Sequence, residues 1–283
     1  MQRTAKFKGQ TNGFLKYRHL LRELVSKNIK LQYRDSVLGM FWTFLQPLLT
    51  MIVMSVIFNN LFGRDSSKVM NYPIYLLCGK LLFDCFSSST KRAMRSIRSH
   101  SAIIKKVYVP KYIYPLSNSL AYFITFLISL TVLVCMIIFF NVAKIHPFAV
   151  TWRVVFCVIP IFVLFVLSIG VGMLLAALNV FFKDIENIYD VLTLLLFYCT
   201  PIMYHISRLG FEEGSKMILL IKSNPLYGII QSFRACILWG GTDQFWKMFD
   251  VNLLCYSAGF ALVSFLIGFF VFYKTQDKFI LHI

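Results

Sequence analysis

LGMFWTFLQPLLTMIVMSVIFNNLF, from Leu38 to Phe62, holds no charged residue. A helix crosses about 30 Å of hydrocarbon with roughly 20 apolar residues, and this stretch is long enough. Comparable runs follow at 72–90, 113–140, 154–182, 188–204 and 251–273. The second carries Lys80 and Asp84. The fifth is the weakest: its apolar part begins only at Val191 and ends in Cys-Thr-Pro-Ile-Met-Tyr at Tyr204. The pattern predicts an all-α integral membrane protein with six transmembrane helices. Composition agrees, since 58% of the 283 residues are hydrophobic and mean hydropathy is +0.69, whereas soluble domains sit near roughly 45–50% apolar.

The net charge of +17 must collect between the spans, where Lys and Arg report orientation. Residues 1–36 hold Arg3, Lys6, Lys8, Lys16, Arg18, Arg22, Lys27, Lys30 and Arg34. The stretch KRAMRSIRSHSAIIKKVYVPKYIYPL, Lys91 to Leu116, holds Lys91, Arg92, Arg95, Arg98, Lys105, Lys106 and Lys111 and no acid. Both segments are expected in the cytoplasm, with 63–71 and 141–153 outside. The loop at 183–190 sets Lys183 against Asp184, Glu186 and Asp190, so only the alternation of spans puts it inside. Lys274 and Lys278 put the C-terminus there too. No signal peptide or lipidation motif is expected.

Within 1–36, Phe14, Tyr17, Leu21, Leu24 and Leu31 recur near helical spacing, with Leu20 and Val25 beside them and basic residues between. Glu23 and Lys27 have the spacing of a favourable pair. An amphipathic helix in the cytoplasmic interface is expected. Between spans five and six, segment 205–250 carries apolar pieces too short to cross, broken by Asn224-Pro225 and Gly240-Gly241. Such pieces read as short re-entrant or outer helices. Ser168, Gly172 and Ala176, with Gly170 and Ala177 nearby, form a small-residue stripe that lets helices approach closely. The seven cysteines are scattered singly, with no metal or disulfide spacing.

Chemistry-bearing motifs are few. No G-x-x-x-x-G-K-[ST] or H-E-x-x-H occurs, and Gly210-Phe-Glu-Glu-Gly214-Ser-Lys216 has the wrong spacing for a phosphate loop. An enzyme is not expected. Lys80 and Asp84 form an intramembrane ion pair at i, i+4, which either lines a polar path or is an internal salt bridge. Segment 98–112 can form a short helix along the membrane, broken at Pro110. Lys105 and Lys106 would face an aqueous partner, with Ile103, Ile104 and Val107 anchored opposite. A plain positive-inside loop is the alternative.

Ile104-Lys-Lys-Val-Tyr-Val-Pro110, followed by Tyr114-Pro-Leu116, resembles the coupling-helix region of type-two ABC transporter permeases that export polysaccharide, O-antigen or teichoic acid. Leu38-Gly-Met-Phe-Trp42 with Gln46-Pro-Leu48 is similar to that family's first span, and Tyr75-Leu-Leu-Cys-Gly79 to its second. Lys183-Asp-Ile185 through Thr200-Pro-Ile-Met-Tyr204 resembles its fifth, and Asn224-Pro-Leu-Tyr227 with Arg234 its outer segment. Lys80 and Asp84 depart from it, because apolar or aromatic residues are expected there.

The resemblance implies a homodimeric permease in the bacterial cytoplasmic membrane, multi-pass, with both termini cytoplasmic. It implies two copies of a separate ABC ATPase. No cofactor is then expected on this chain, with ATP and Mg on the partner subunit, and no nucleic acid among its partners. Membrane lipids and a lipid-linked or polymeric glycan are the expected ligands. Coupling residues would be Ile104, Lys105, Lys106, Val107, Tyr108 and Pro110. Candidate channel aromatics are Phe41, Phe44, Phe197, Tyr198 and Tyr204. Arg18, Arg22, Lys30 and Arg34 would receive a lipid pyrophosphate at the cytoplasmic mouth. Alternatives are an ion-coupled secondary transporter using Lys80 and Asp84, or a type-two ABC exporter of lipids or drugs.

Overall fold

The computed structural model describes residues 2–62, 71–106, 109–143, 151–204, 216–242 and 244–282, and within them the side chains of all but 2–16, 58–62, 281 and 282. The described residues form helices and no strand. Helix α1 spans Gln2–Gln32, α2 Trp42–Phe62, α3 Tyr72–Ser99, α4 Ser101–Ile104, α5 Ile113–Val142 and α6 Val158–Phe181. They are followed by α7 Ile185–Cys199, α8 Lys216–Lys222, α9 Pro225–Leu238, α10 Phe245–Met248, α11 Val251–Thr275 and α12 Phe279–His282.

Four helical stretches among the described residues are long and apolar enough to cross a membrane: Gly39–Ile57, Ile113–Val142, Trp152–Phe181 and Phe245–Lys278. Two of the six expected spans fall outside that measure. Helix α3 is long enough at 28 residues but carries Lys80, Asp84 and a basic end. Helix α7 has only 15 residues, about 22 Å at 1.5 Å per residue. Large apolar side chains remain exposed along α2, α7 and α11, among them Val53, Leu195 and Leu262. A soluble monomer rarely exposes so much contiguous apolar surface, so these faces meet lipid or protein.

Local sequence explains several boundaries. Gly39 has φ +50, a left-handed conformation that favours glycine, and its N–H is accepted by Ser36 Oγ at 3.2 Å. Pro47 lies inside α2 and removes the bond that would reach the Thr43 carbonyl. Ser129 Oγ of α5 donates to that carbonyl at 3.3 Å, so the break is filled from a neighbouring helix. Asn224 caps α9, its Oδ1 accepting the Leu226 N–H at 3.0 Å ahead of Pro225 in the first turn. Asp250 caps α11 by accepting from Asn252 and Leu253.

Helix α6 is the centre of the bundle. In its most apolar window 44% of residues are buried, against 17% for α2. It packs on α3 and α11. The small-residue stripe divides between these two neighbours. A Cβ on Gly172 would press on Ala93 of α3, whereas one on Gly170 would run into the Phe265 backbone of α11. Gly268 of α11 faces the Gly170 carbonyl just as tightly. Two apolar clusters lie at opposite ends of the bundle. One joins the start of α3 to α9 and α10. The other joins the end of α3 to α1, the end of α4, the start of α5, and Phe279 of α12.

Gly268→Val should therefore abolish accumulation of folded protein, because the α6–α11 contact is backbone against backbone. Gly259→Val on the same helix, where a Cβ meets nothing within 4 Å, should leave it unchanged. Fluorescence-detected size-exclusion of detergent extracts checks the contrast.

Candidate functional site

The junction of α3, α7 and α9 is built around Arg234. This side chain is 0% exposed and meets no carboxylate among the described residues. Its Nε donates to the Tyr75 carbonyl at 3.0 Å, Nη1 to Pro201 at 2.8 Å and Nη2 to Ile202 at 2.7 Å. The guanidinium also stacks 3.6 Å from the Tyr75 ring centroid. Gly79 leaves room for it, since a Cβ there would overlap Nη2. Thr200–Tyr204 leaves the helical path here, which frees the carbonyls that Arg234 takes. Tyr72 and Tyr75 hydroxyls donate to the Met203 and Tyr204 carbonyls, and Asn224 Nδ2 donates to Thr200 Oγ1 at 2.8 Å. A second clasp holds the turn after α9: Arg153 donates to the Gly240 and Thr242 carbonyls, both at 3.1 Å, and lies over the Phe245 ring.

At its other end α7 is held to α3 by charge. Lys91 Nζ meets Asp190 Oδ1 at 2.7 Å, and Arg95 Nε meets Glu186 Oε2 at 3.0 Å. Asn179 Nδ2 of α6 donates to Glu186 Oε1, and the Tyr189 and Thr90 hydroxyls share a 2.6 Å bond. Two of the seven bases in the Lys91–Leu116 stretch thus pair with two of the three acids of 183–190, Asp190 and Glu186. These two acids are the counter-charges of α3.

The expected helix over 98–112 is shorter than its sequence allows. Helix α3 continues through Ser99 and breaks at His100, whose Nδ1 meets the Ser96 carbonyl at 2.8 Å. Only Ser101–Ile104 is helical beyond it. Ile104 is buried beside Leu24, Ile97, Ile113 and Tyr114, while Ile103 is exposed rather than anchored. Neighbouring residues on so short a helix face different ways, so one isoleucine anchors it. Lys105 and Lys106 are exposed and Pro110 is half-buried. Val107 and Tyr108 lie outside the described residues. Lys111 donates to the Gln276 carbonyl and lies over the Phe279 ring, which ties the segment to the C-terminal end. Partial burial lowers its pKa from the ordinary lysine range, and Asp277 pulls it back up.

The remaining candidates fall in three places. Phe41 and Phe44 lie at the start of α2, 6.4 Å apart. Phe197, Tyr198 and Tyr204 lie at the far end of α7, with Tyr198 exposed and Tyr204 donating to the Tyr198 carbonyl. No ring contact joins the two aromatic groups among the described residues. Arg18, Arg22, Lys30 and Arg34 are exposed on or just after α1. Lys30 and Arg34 share a shallow groove with Lys27, and Arg18 and Arg22 lie outside it. Glu23 meets His19 at 4.0 Å. Buried Leu24 and Val25, with Tyr17, Leu20 and Leu21, turn the apolar face of α1 inward, and α1 packs on α5. Lys80 Nζ and Asp84 Oδ1 are 2.6 Å apart and line a cleft between α2, α3 and α5.

A family model described as ABC-2 type transporter matches residues 19–238. The chain belongs to the ABC-2 type transporter family. Among its relatives is the O-antigen export system permease protein RfbA of Klebsiella pneumoniae, 28% identical over 262 residues, covering 92% of this chain and 93% of that protein. RfbA of Myxococcus xanthus is 28% identical over 219 residues, 77% and 80% of the two chains. The polysialic acid transport protein KpsM of Escherichia coli is 21% identical over 275 residues, 94% and 97%. The ABC-2 match covers α3, α7 and α9, the three elements that Arg234 joins.

Sequence reasoning missed the role of Arg234. Its signal was an arginine without a nearby acid in an apolar piece, paired with Gly79 in a distant one. Arg234→Met should destabilise the fold by about 3 kcal/mol, because the Pro201 and Ile202 carbonyls, outside any helix, lose their donor. Arg22→Met, at an exposed position, should have no effect. Thermal melting in detergent measures the difference.

Proposed function

We propose that this chain is the membrane-spanning permease of an ATP-driven exporter that moves a lipid-linked or polymeric cell-surface glycan out of the cell. The observation that carries the reading is similarity along nearly the whole chain to ABC-2 permeases named for O-antigen and polysialic acid transport. The chain itself conducts and hinges. ATP and Mg belong to a separate subunit, present in two copies against a homodimer of this chain.

On this reading α3 and α7 also cross the bacterial cytoplasmic membrane, making six crossings with both termini in the cytoplasm. The 28 residues of α3 reach about 42 Å, its Lys80–Asp84 pair neutralises itself, and Lys91, Arg92, Arg95 and Arg98 gather at one end. Positive residues favour the cytoplasmic side, and α1 and Lys105–Lys106 lie toward that same end. The shorter α7 is completed by the Thr200–Tyr204 turn. Segment 205–250 then stays at the outer surface, with α8, α9 and α10 as its short helices.

The partner ATPase docks on exposed Lys105 and Lys106. Ile104 and the Lys111–Gln276 bond fix that contact to the bundle, so a push there moves α3 as a rod. The two ion pairs pass the motion to α7. The exposed faces of α2 and α7 meet their counterparts across a two-fold axis and part to open a path. Phe41, Phe44, Phe197, Tyr198 and Tyr204 present ring faces to the sugars. Arg18, Arg22, Lys30 and Arg34 receive the lipid pyrophosphate from the inner leaflet through charge-assisted bonds.

Lys105→Glu/Lys106→Glu should abolish export and the stimulation of the partner's ATPase while leaving membrane insertion intact. Cell-surface glycan staining and ATPase assays of the purified complex read the two effects, and normal export in this variant would remove the coupling role. Tyr198→Ala/Tyr204→Ala should lower glycan export at unchanged protein level, measured by the same staining.

A further inference from the structure

The Lys80–Asp84 pair has no evident structural task. Its ionic bond lies within α3, and among the described residues its contact to another helix is Lys80 on the Phe197 ring of α7, whereas Arg234 and the ion pairs between α3 and α7 bind two helices directly. Ions in an apolar bundle are costly, and apolar residues of similar size often do as well. Core residues Leu81, Leu82 and Phe83 surround the pair in sequence. The two charges instead line a cleft of about 230 Å³ between α2, α3 and α5. Lys80 takes only one oxygen of Asp84, and the Asp84 side chain remains 44% exposed.

The rest of the lining is chemically consistent. Gln46 and Thr50 enter from α2, Ser88 from α3, and further hydroxyls from α5. Exposed Trp42 stands on the rim, and Phe197 of α7 lies 5.2 Å from Lys80 Nζ. The cleft is lined by α2, α3 and α5 with Gln32 and Tyr33 at the end of α1, and Phe197 meets Lys80 from outside that lining. An anion entering it would meet Asp84, and a cation would meet Lys80. An apolar guest would strip water from both charges and from the amide and hydroxyl groups. A neutral polyol offends none of them. Adjacent hydroxyls donate to the carboxylate, the ammonium donates to a hydroxyl or ring oxygen, and the ring C–H edges lie on the Trp42 face.

We propose that this cleft is a binding subsite for one uncharged pyranose residue of the transported glycan, with Asp84 and Lys80 as its polar grip and Trp42 as its platform. The proposal rests on the export reading above and narrows it: the cargo presents a neutral sugar here. The pair is also where this chain departs from the apolar residues its resemblance predicts, so the subsite contributes to choice of cargo.

The test uses full-length protein with its ATPase in cells that make the glycan. A photo-crosslinking benzoylphenylalanine is placed at Thr50 in the cleft, or at Tyr198 on α7. The probe is the cells' own lipid-linked glycan, detected by carbohydrate staining of the purified chain. Adducts are expected at both positions. Lys80→Met/Asp84→Leu should lower the Thr50 adduct about tenfold, the scale of a lost charge-assisted hydrogen bond, and leave the Tyr198 adduct unchanged. If that variant fails to accumulate, Gln46→Leu reads the same cleft from an exposed position. An undiminished Thr50 adduct in a variant that accumulates overturns the subsite. So does an adduct at Tyr198 with none at Thr50, and the export reading then stands. Adducts at neither position, with normal protein levels, remove the export reading and the subsite together.

Discussion

A guanidinium with no acid beside it among the described residues, held by three carbonyls and an aromatic face, is the constraint on which this bundle depends. A buried charge without partners is among the most costly groups a protein can carry. Arg234 is tolerated because Thr200–Tyr204 leaves the helical path and presents carbonyls that no intrahelical N–H claims. The bargain is mutual. Those carbonyls would themselves be orphaned away from water, and one side chain satisfies them while tying α7 and α9 to α3. The absent side chain of Gly79 makes the approach possible. Helix α9 is therefore docked by hydrogen bonds aimed at a break in helical path, and the Arg153 clasp on Gly240 and Thr242 repeats the device a second time.

At the other end of α3 the logic changes from burial to pairing. Lys91 and Arg95 face Asp190 and Glu186 in partly exposed pairs, which contribute little stability individually. Their effect is geometric. They set the rotation of α7 against α3, and Asn179 joins α6 to the same group. Helix α7 is thus tethered at both ends to α3 while its middle stays exposed. On the export reading, such a wall follows the movements of α3 without being part of the packed centre.

The sequence made the all-helical class and four of the long apolar helices legible, because hydrophobic runs and periodicity report which faces avoid water. The Asn224-Pro225 start of α9 was equally plain. What it could not report was partnership. Arg234 and Tyr75 are far apart in the chain, as are Lys91 and Asp190, and a residue's type says that it needs a partner without saying which. The same limit hid the cleft around Lys80 and Asp84. Its other walls, Gln46 and Thr50 on α2 and Ser129 on α5, are ordinary polar residues in apolar runs until three helices bring them together. The length of α4 escaped for a local reason: α3 has no breaker before His100, so it extends through residues that read equally well as a separate helix.

Packing density separates the parts that can move from those that cannot. Helices α6 and α11 meet backbone to backbone through Gly170 and Gly268, a contact with no side chain to yield. Helix α3 is buried along most of its length. By contrast the buried residues of α7 are Tyr189 and Thr193, and those described in α2 are Thr43 and Met51. Elements with few buried contacts open at lower free energy than the core around them. The two helices proposed to line the path therefore pack less tightly than α6 and α11, although α7 stays tied to α3 at both ends. Pro47 adds a weak point within α2, closed by a single 3.3 Å bond from Ser129, beside the cleft where the glycan is proposed to bind. The Ser129 hydroxyl proton is shared with the Thr125 carbonyl at 3.1 Å, so α2 is held only weakly at that point.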